Sequence, residues 1–169
     1  APVAGAGEGP ADVVAASKYM PSLDPDDPIL REIYRLDLAK RVTSFELLDS
    51  RWNGNEVLQY FTDQGSLFVK MNRVEDQSVF MAEAVGLTSI LRTQTVAVPK
   101  PLHVGTLPKV GLFGPGAFLI TEFLQLEPFG ALKGANQKTL GEQLAQLHTS
   151  DALADVHKGR CGFVVNNLH

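Results

Sequence analysis

Polar and apolar positions fall into two periods along the chain. Three short runs rich in apolar, aromatic and β-branched residues, 42–48, 56–62 and 66–71, are spaced as strands. They are separated by Asn53-Gly54-Asn55 and Asp63-Gln64-Gly65. The second break predicts a tight hairpin, because Gly65 can take the positive φ that such a turn requires. The three runs together predict an antiparallel meander. The period then lengthens. Residues 76–93 predict an amphipathic helix with Asp76 as its N-cap, Phe80, Leu87, Ile90 and Leu91 on one face, and Glu83 on that same stripe. Val98-Pro99-Lys100-Pro101 reads as a rigid extended connector. Residues 102–106 and 117–123 predict two further strands, joined by a loop through Gly111, Gly114 and Gly116. Leu140, Leu144 and Leu147 repeat at helical spacing and predict a helix over 137–148.

Upstream of the strands the pattern is weaker. Residues 1–27 have low complexity, are interrupted by Pro21 and Pro25, and read as a mostly extended, flexible arm. Pro28 can open a helix behind Asp24, Asp26 and Asp27. Ile29, Ile33, Leu36 and then Leu38 or Lys40 give that helix its spacing. The expected organisation is an arm over 1–27, a lobe over 28–124, and a linker with the first part of an incomplete second lobe over 125–169.

Composition narrows the class without naming a chemistry. The 169 residues suffice for one modest domain with a core. A formal net charge of -4, with Lys and Arg scattered, argues against the basic stripe of a nucleic-acid binder. The single Cys161 cannot form an internal disulfide, so the fold does not depend on an oxidising compartment. No apolar run reaches the roughly 18–20 residues that span a bilayer, and the chain reads as soluble. His103, His148, His157 and His169 lack metal-site spacing. The chain starts at Ala1 rather than Met, with an Ala-, Gly- and Val-rich stretch to Ala16, which suggests a processed precursor or a trimmed chain, a cleaved transit peptide being one form of the first.

Two charged residues give the element order chemical content. Lys70 ends the apolar run Phe68-Val69-Lys70, and Glu83 follows thirteen residues later on the helix stripe. A carboxylate on an apolar face is costly unless a cation meets it. Three strands, a helix, two strands, a linker and a helix match the small lobe of the protein-kinase-like fold. In that lobe a third-strand lysine meets a helix glutamate and is held against the α- and β-phosphates of ATP. The expected fold class is therefore α+β: a protein-kinase-like N-terminal lobe, a five-stranded antiparallel sheet with one packed helix, plus the start of the C-terminal lobe. In such lobes a strand like Phe118-Leu119-Ile120-Thr121-Glu122-Phe123-Leu124 is the hinge, whose backbone bonds the adenine edge.

Several local motifs resemble one family. They are Phe68-Val69-Lys70-Met71-Asn72, Phe80-Met81-Ala82-Glu83 with Gly86-Leu87, Val98-Pro99-Lys100-Pro101, Ile120-Thr121-Glu122-Phe123-Leu124, residues 140–148, and Gly162-Phe163 with Asn166-Asn167. Together, and in this order, they are similar to the fructosamine kinase (ketosamine-3-kinase) family, with wider kinship to aminoglycoside and choline kinases. The resemblance implies ATP and Mg²⁺ as cofactors and phosphorylation of the 3-hydroxyl of a sugar on a glycated protein or small ketosamine. The phosphorylated adduct then detaches, which is protein deglycation. By the same resemblance the cofactor-binding residues are Lys70, Glu83, Glu122, Leu124, Gly54 and Asn55. Plant and algal members carry an N-terminal extension, which makes the chloroplast stroma the expected compartment, with the cytoplasm as the other option.

Two departures open an alternative. The loop between the first two strands should be glycine-rich, so that backbone amides approach the phosphates. Here it reads Ser50-Arg51-Trp52-Asn53-Gly54-Asn55, with one glycine and a bulky Trp52. The catalytic aspartate and the Mg²⁺ ligands lie in the family's C-terminal lobe, in motifs like His-Gly-Asp-Leu-Trp, and no such motif is present. The flanks of Asp151 and His157 match no catalytic loop, so both are assigned to the surface and no catalytic residue is expected in this chain. The alternative reading is a catalytically inactive kinase-like subunit that serves as an interaction module in a larger, plastid assembly. A kinase for choline or an aminoglycoside fits the local motifs less well.

Overall fold

The computed structural model describes residues 19–50, 54–110, 115–126 and 133–153. Five strands form one antiparallel sheet in the order β1-β2-β3-β5-β4. They are β1 (Val42–Ser50), β2 (Asn55–Thr62), β3 (Gly65–Asn72), β4 (Pro101–Thr106) and β5 (Ala117–Glu122). Helix α1 (Pro28–Arg35) precedes the sheet, and α2 (Gln77–Thr93) leads from β3 to β4. Helix α3 (Lys133–His148) and a 3-10 turn (Asp151–Leu153) follow. The α+β class, the meander and the two later strands are those the pattern predicts. Residues 1–18, 51–53, 111–114, 127–132 and 154–169 lie outside the described residues, and with them Trp52, His157, Cys161 and the Gly162-Phe163 and Asn166-Asn167 motifs.

Element ends differ from expectation in instructive places. Strand β1 runs two residues further, to Ser50, and α3 starts at Lys133 rather than at 137. Helix α1 is shorter than its spacing suggests and ends at Arg35. Asp37 takes a left-handed φ of 56°. The N–H groups of Asp37 and Leu38 then turn back to the carbonyls of Tyr34 and Ile33. These are the two bonds of a Schellman end, completed here by an aspartate in place of the usual glycine. Leu38 packs on the core from outside the helix.

The β2–β3 hairpin forms where the turn residues require it. Thr62 pairs with Gly65, whose φ is 115°. The Thr62 hydroxyl donates to the Gly65 carbonyl at 2.7 Å and accepts from the Gln64 N–H at 3.0 Å. At the tip, the Asp63 carboxylate accepts from the backbone N–H groups of Lys40 and Arg41 at 3.0 and 3.1 Å. The Arg41 N–H foremost holds that carboxyl below the usual range. The hairpin thus fixes the link between α1 and β1.

Alternation along the strands builds two cores. Leu58 and Tyr60 of β2, Leu67, Val69 and Met71 of β3, and Phe118 and Ile120 of β5 belong to one cluster. Ile29, Leu30 and Ile33 of α1 cover it, with Tyr19 and Leu107. On the opposite face Ala117 and Leu119 of β5 meet Phe80 and Ala84 of α2, with Leu87 and Val104 packed alongside. Within the first cluster Phe118 lies directly over its cross-strand partner Gly105, where a Cβ would come within 2.3 Å of the ring.

The arm expected over 1–27 is anchored at its C-terminal end. Tyr19 is buried, and its hydroxyl donates to Asp27 Oδ2 at 2.8 Å. Asp27, only 5% exposed, also accepts from the N–H groups of Ser22, Ile29 and Leu30 at 3.1, 2.9 and 3.3 Å. One carboxylate therefore caps α1 and straps the preceding segment across the sheet. Burial, and then the Asp27 charge, push the Tyr19 phenol well above its ordinary range. Tyr60 stacks on Phe45 with centroids 5.2 Å apart, and its buried hydroxyl has no hydrogen-bond partner among the described residues.

Replacing Asp27 strands several buried donors, so Asp27→Ala should lower stability by about 2–4 kcal/mol. Urea unfolding should show a lower midpoint at an unchanged slope. Tyr60→Phe removes a hydroxyl that makes no bond, and the same measurement should show stability unchanged or raised.

Candidate functional site

Lys70 sits on the middle strand, opposite Val57 of β2 and Leu119 of β5. The period of two that buries Val69 and Met71 on the α1 side sends Lys70 to the α2 side. There its Nζ donates to Glu83 Oε2 at 2.7 Å. The same ammonium lies 5.9 Å from the centroid of the Phe80 ring. Phe80 and Glu83 are three residues apart on α2, so ring and carboxylate share one helix face and meet one cation.

Helix α2 holds these groups through both ends. Asp76 is its N-cap, as the sequence predicts, accepting from the Ser78 N–H at 2.7 Å. The Gln77 side-chain amide donates to the Val104 carbonyl at 3.2 Å and ties the first turn to β4. The last turn closes with Gln94 in the left-handed region.

The Lys70 and Glu83 side chains are 27% and 36% exposed. An ion pair this open contributes at most about 1 kcal/mol to folding. Stability does not account for it; restraint of the lysine does.

Asn72, two residues after Lys70, ties the start of β2 to the exit of β3. Its amide donates to Asn55 Oδ1 at 3.0 Å, and its carbonyl oxygen accepts from the N–H groups of Val74 and Glu75 at 3.0 and 3.3 Å. Gly54, with φ of 80°, packs against the same side chain. The Asn55–Asn72 pair lies two register positions from Val57–Lys70, roughly 7 Å along the strands. Gly54 and Asn55 are thereby held at the end of the β2–β3 ladder, two positions from Lys70.

Glu122 and Leu124 lie at the other end of β5. Glu122 pairs with Leu67, three positions or roughly 10 Å along the strand from Leu119, the partner of Lys70. Its N–H donates to the Lys100 carbonyl at 3.0 Å, and its own carbonyl accepts from the Thr121 hydroxyl at 3.0 Å. Leu124 is half-buried and lies past the last ladder pair. The six predicted residues therefore fall into one contacting pair, Lys70–Glu83, an adjoining pair at Asn72, and a third group at the far end of β5.

Three contributors were not singled out from the sequence. Phe80 was placed on the apolar stripe, and its spacing to Glu83 was the available signal. Asn72 stood in a recognised motif, without a role. Arg73 had no local signal, because its partners are far away in sequence. Its guanidinium forms a two-pronged pair with Glu56, one bond at 2.8 Å, and its Nε donates to the Tyr19 carbonyl at 2.6 Å. Both side chains are largely buried, and they lock the exit of β3 to β2 and to the N-terminal strap.

Among the described residues no three His, Cys, Asp or Glu side chains are grouped to hold a metal, and no helix is long and apolar enough to cross a membrane. Asp151 lies exposed in the 3-10 turn.

A five-stranded antiparallel sheet with a lysine on its middle strand paired to a glutamate of the packed helix defines the small lobe of a protein-kinase-like fold. The chain belongs to the fructosamine kinase family, whose family model matches residues 48–169. It is 36% identical over 142 residues to the protein-ribulosamine 3-kinase, chloroplastic, of Oryza sativa subsp. indica, covering 84% of this chain and 37% of that protein. The protein of the same name in Arabidopsis thaliana is 36% identical over 144 residues, covering 84% and 39%. The ketosamine-3-kinase of Mus musculus is 40% identical over 90 residues, covering 53% and 26%. A crystal structure assigned as a fructosamine-3-kinase of Haemophilus somnus 129PT superposes with a TM-score of 0.57 at 25% identity, covering 72% of this chain and 38% of that one. The chain thus spans about two fifths or less of the length of these relatives.

The two ion pairs should separate in a stability measurement. Glu83→Gln is expected to change the unfolding free energy by less than about 1 kcal/mol. Arg73→Ala leaves Glu56 buried and unpaired, and should cost about 3–5 kcal/mol in the same urea titration.

Proposed function

We propose that this chain forms the ATP-binding lobe of a ketosamine 3-kinase, an enzyme that phosphorylates the sugar 3-hydroxyl of glycated proteins and so releases the sugar. The 2.7 Å pair between Lys70 and Glu83 carries this reading, because it holds a cation in place at little gain in stability. ATP supplies the phosphoryl group. Lys70 holds the α- and β-phosphates, Glu83 and Phe80 keep its ammonium in place, and Gly54 and Asn55 bound the phosphate side. At the other end the Glu122 carbonyl and the Leu124 backbone meet the adenine edge. What supports the carbonyl rather than the N–H of Glu122 in this role is that the N–H is already taken by Lys100, while the carbonyl has a second lone pair beyond the one used by Thr121.

Mg²⁺ has no ligand group among the described residues. Its ligands, and the aspartate that accepts the hydroxyl proton, are expected in the part of the protein corresponding to the unmatched length of the relatives. The names of the rice and Arabidopsis relatives support a ribulosamine-type acceptor and a chloroplast compartment; the stroma is our own reading within it. A second reading, an inactive kinase-like subunit in a larger assembly, is favoured by one observation: Trp52 and a single glycine in the β1–β2 loop sequence.

Full-length protein given Mg-ATP and a ribulosyl- or fructosyl-lysine peptide should phosphorylate the sugar and then lose the adduct. Lys70→Met should lower kcat/KM by about a hundredfold or more. No phosphorylation of either peptide rejects the kinase reading. An absence of Mg-ATP binding, together with stable co-purification in a complex, favours the second.

A further inference from the structure

Helix α1, the start of α2 and strand β4 border a cavity of about 230 Å³, open to solvent on one side, that neither Lys70 nor Glu83 lines. At ~30 Å³ per water it has room for a phosphate group with part of its hydration. Arg31, Glu32 and Arg35 of α1, Gln77 of α2 and His103 of β4 supply its polar groups.

The charges do not cancel. Glu32 is engaged through Oε2, which accepts from Arg35 Nε at 2.7 Å and Nη2 at 2.6 Å and lies 3.4 Å from His103 Nε2. Arg31, one turn before Arg35, forms no ion pair with a described carboxylate and acts on Glu32 only at longer range. Two guanidinium groups against one carboxylate leave an excess positive charge. His103 can add a second. Burial, and then Arg35, depress its pKa against the opposing pull of Glu32. The groups that act on its imidazole are Glu32 and Arg35 from α1 and the Phe118 ring of β5 at 6.1 Å; Arg31 of α1 and the uncharged Gln77 of α2 line the same cavity.

We propose that this cavity is a second anion site, one that takes a phosphate monoester, separate from the nucleotide site proposed above. Guanidinium groups match the oxygens of a phosphate, and Arg31 is the one left to bind it. An apolar groove of about 410 Å³, lined by Met81, Ala84 and Leu102, shares His103 and Val104 with the cavity. A monoester carrying an apolar group therefore fits better than inorganic phosphate. Its anion bridges α1 to Gln77, the first residue of the helix that carries Glu83. A bound anion also favours the imidazolium of His103, so affinity rises as pH falls through the titration of that side chain.

The test is a calorimetric titration of full-length protein with phenyl phosphate and with inorganic phosphate, between about pH 6 and pH 8. Phenyl phosphate should bind more tightly than phosphate. Arg31→Ala, a change at an exposed position, should weaken binding about tenfold, whereas Lys70→Met should leave it intact. The strengthening toward low pH should be steeper in the native protein than in His103→Gln, since the probe's own titration is common to both. Equal affinity in Arg31→Ala, equal pH slopes, or no binding of either probe overturns the proposal. So does loss of binding in Lys70→Met alone, which would place the anion at the nucleotide site. None of these outcomes bears on the kinase reading, which stands or falls on phosphorylation of the ketosamine peptide.

Discussion

The middle strand of the sheet must serve two unlike faces at once. Between β2 and β5, β3 gives Leu67, Val69 and Met71 to the core under α1, where the cover is continuous. Its other residues face a helix that packs against β4 and β5 rather than squarely over β3, through Phe80 and Ala84 against Val104, Ala117 and Leu119. The cover on that side is partial. A lysine can therefore keep its charge there, half in water, and a buried asparagine can spend its amide on the neighbouring strand. The site is a product of this asymmetry: a sheet closed equally on both faces would have no place for Lys70.

The residues that hold the lobe together therefore differ from those of the candidate site. The buried polar groups that tie distant segments are Asp27, Arg73 with Glu56, and Asn72. Removing any one leaves partners stranded without water, which is where the large penalties arise. The Lys70–Glu83 pair, by contrast, is half open to water and adds little to folding. Membership in the fructosamine kinase family accords with this division.

Much of this was legible because it is local. The period of two marked the strands, Gly65 marked the hairpin, and Asp76 marked the start of α2. Glu83 on an apolar stripe called for a cation, and Lys70 supplied it. What was not legible depends on distance or on unusual backbone. The strap from Tyr19 to Asp27 looked like an arm, because its bonds reach Arg73, 54 residues away, and prolines interrupt any period. The end of α1 was missed because an aspartate at a left-handed position carries no cue comparable to glycine. The insertion of β5 between β3 and β4 is likewise a global choice that no single run of residues announces.

That insertion bears on how the lobe assembles. Strands β1 to β3 pair through short connections and can form early, whereas β3 meets β5 only after the chain from Asn72 to Ala117 has been gathered in. Pairings of such sequence separation pay their loop entropy before they gain contacts, and so tend to come late. Lys70 lies on the strand that waits for this closure. The Lys70–Glu83 site is then the last part of the lobe to mature, and a ligand that binds only the closed sheet acts as a folding ligand, shifting the population toward the finished lobe by mass action.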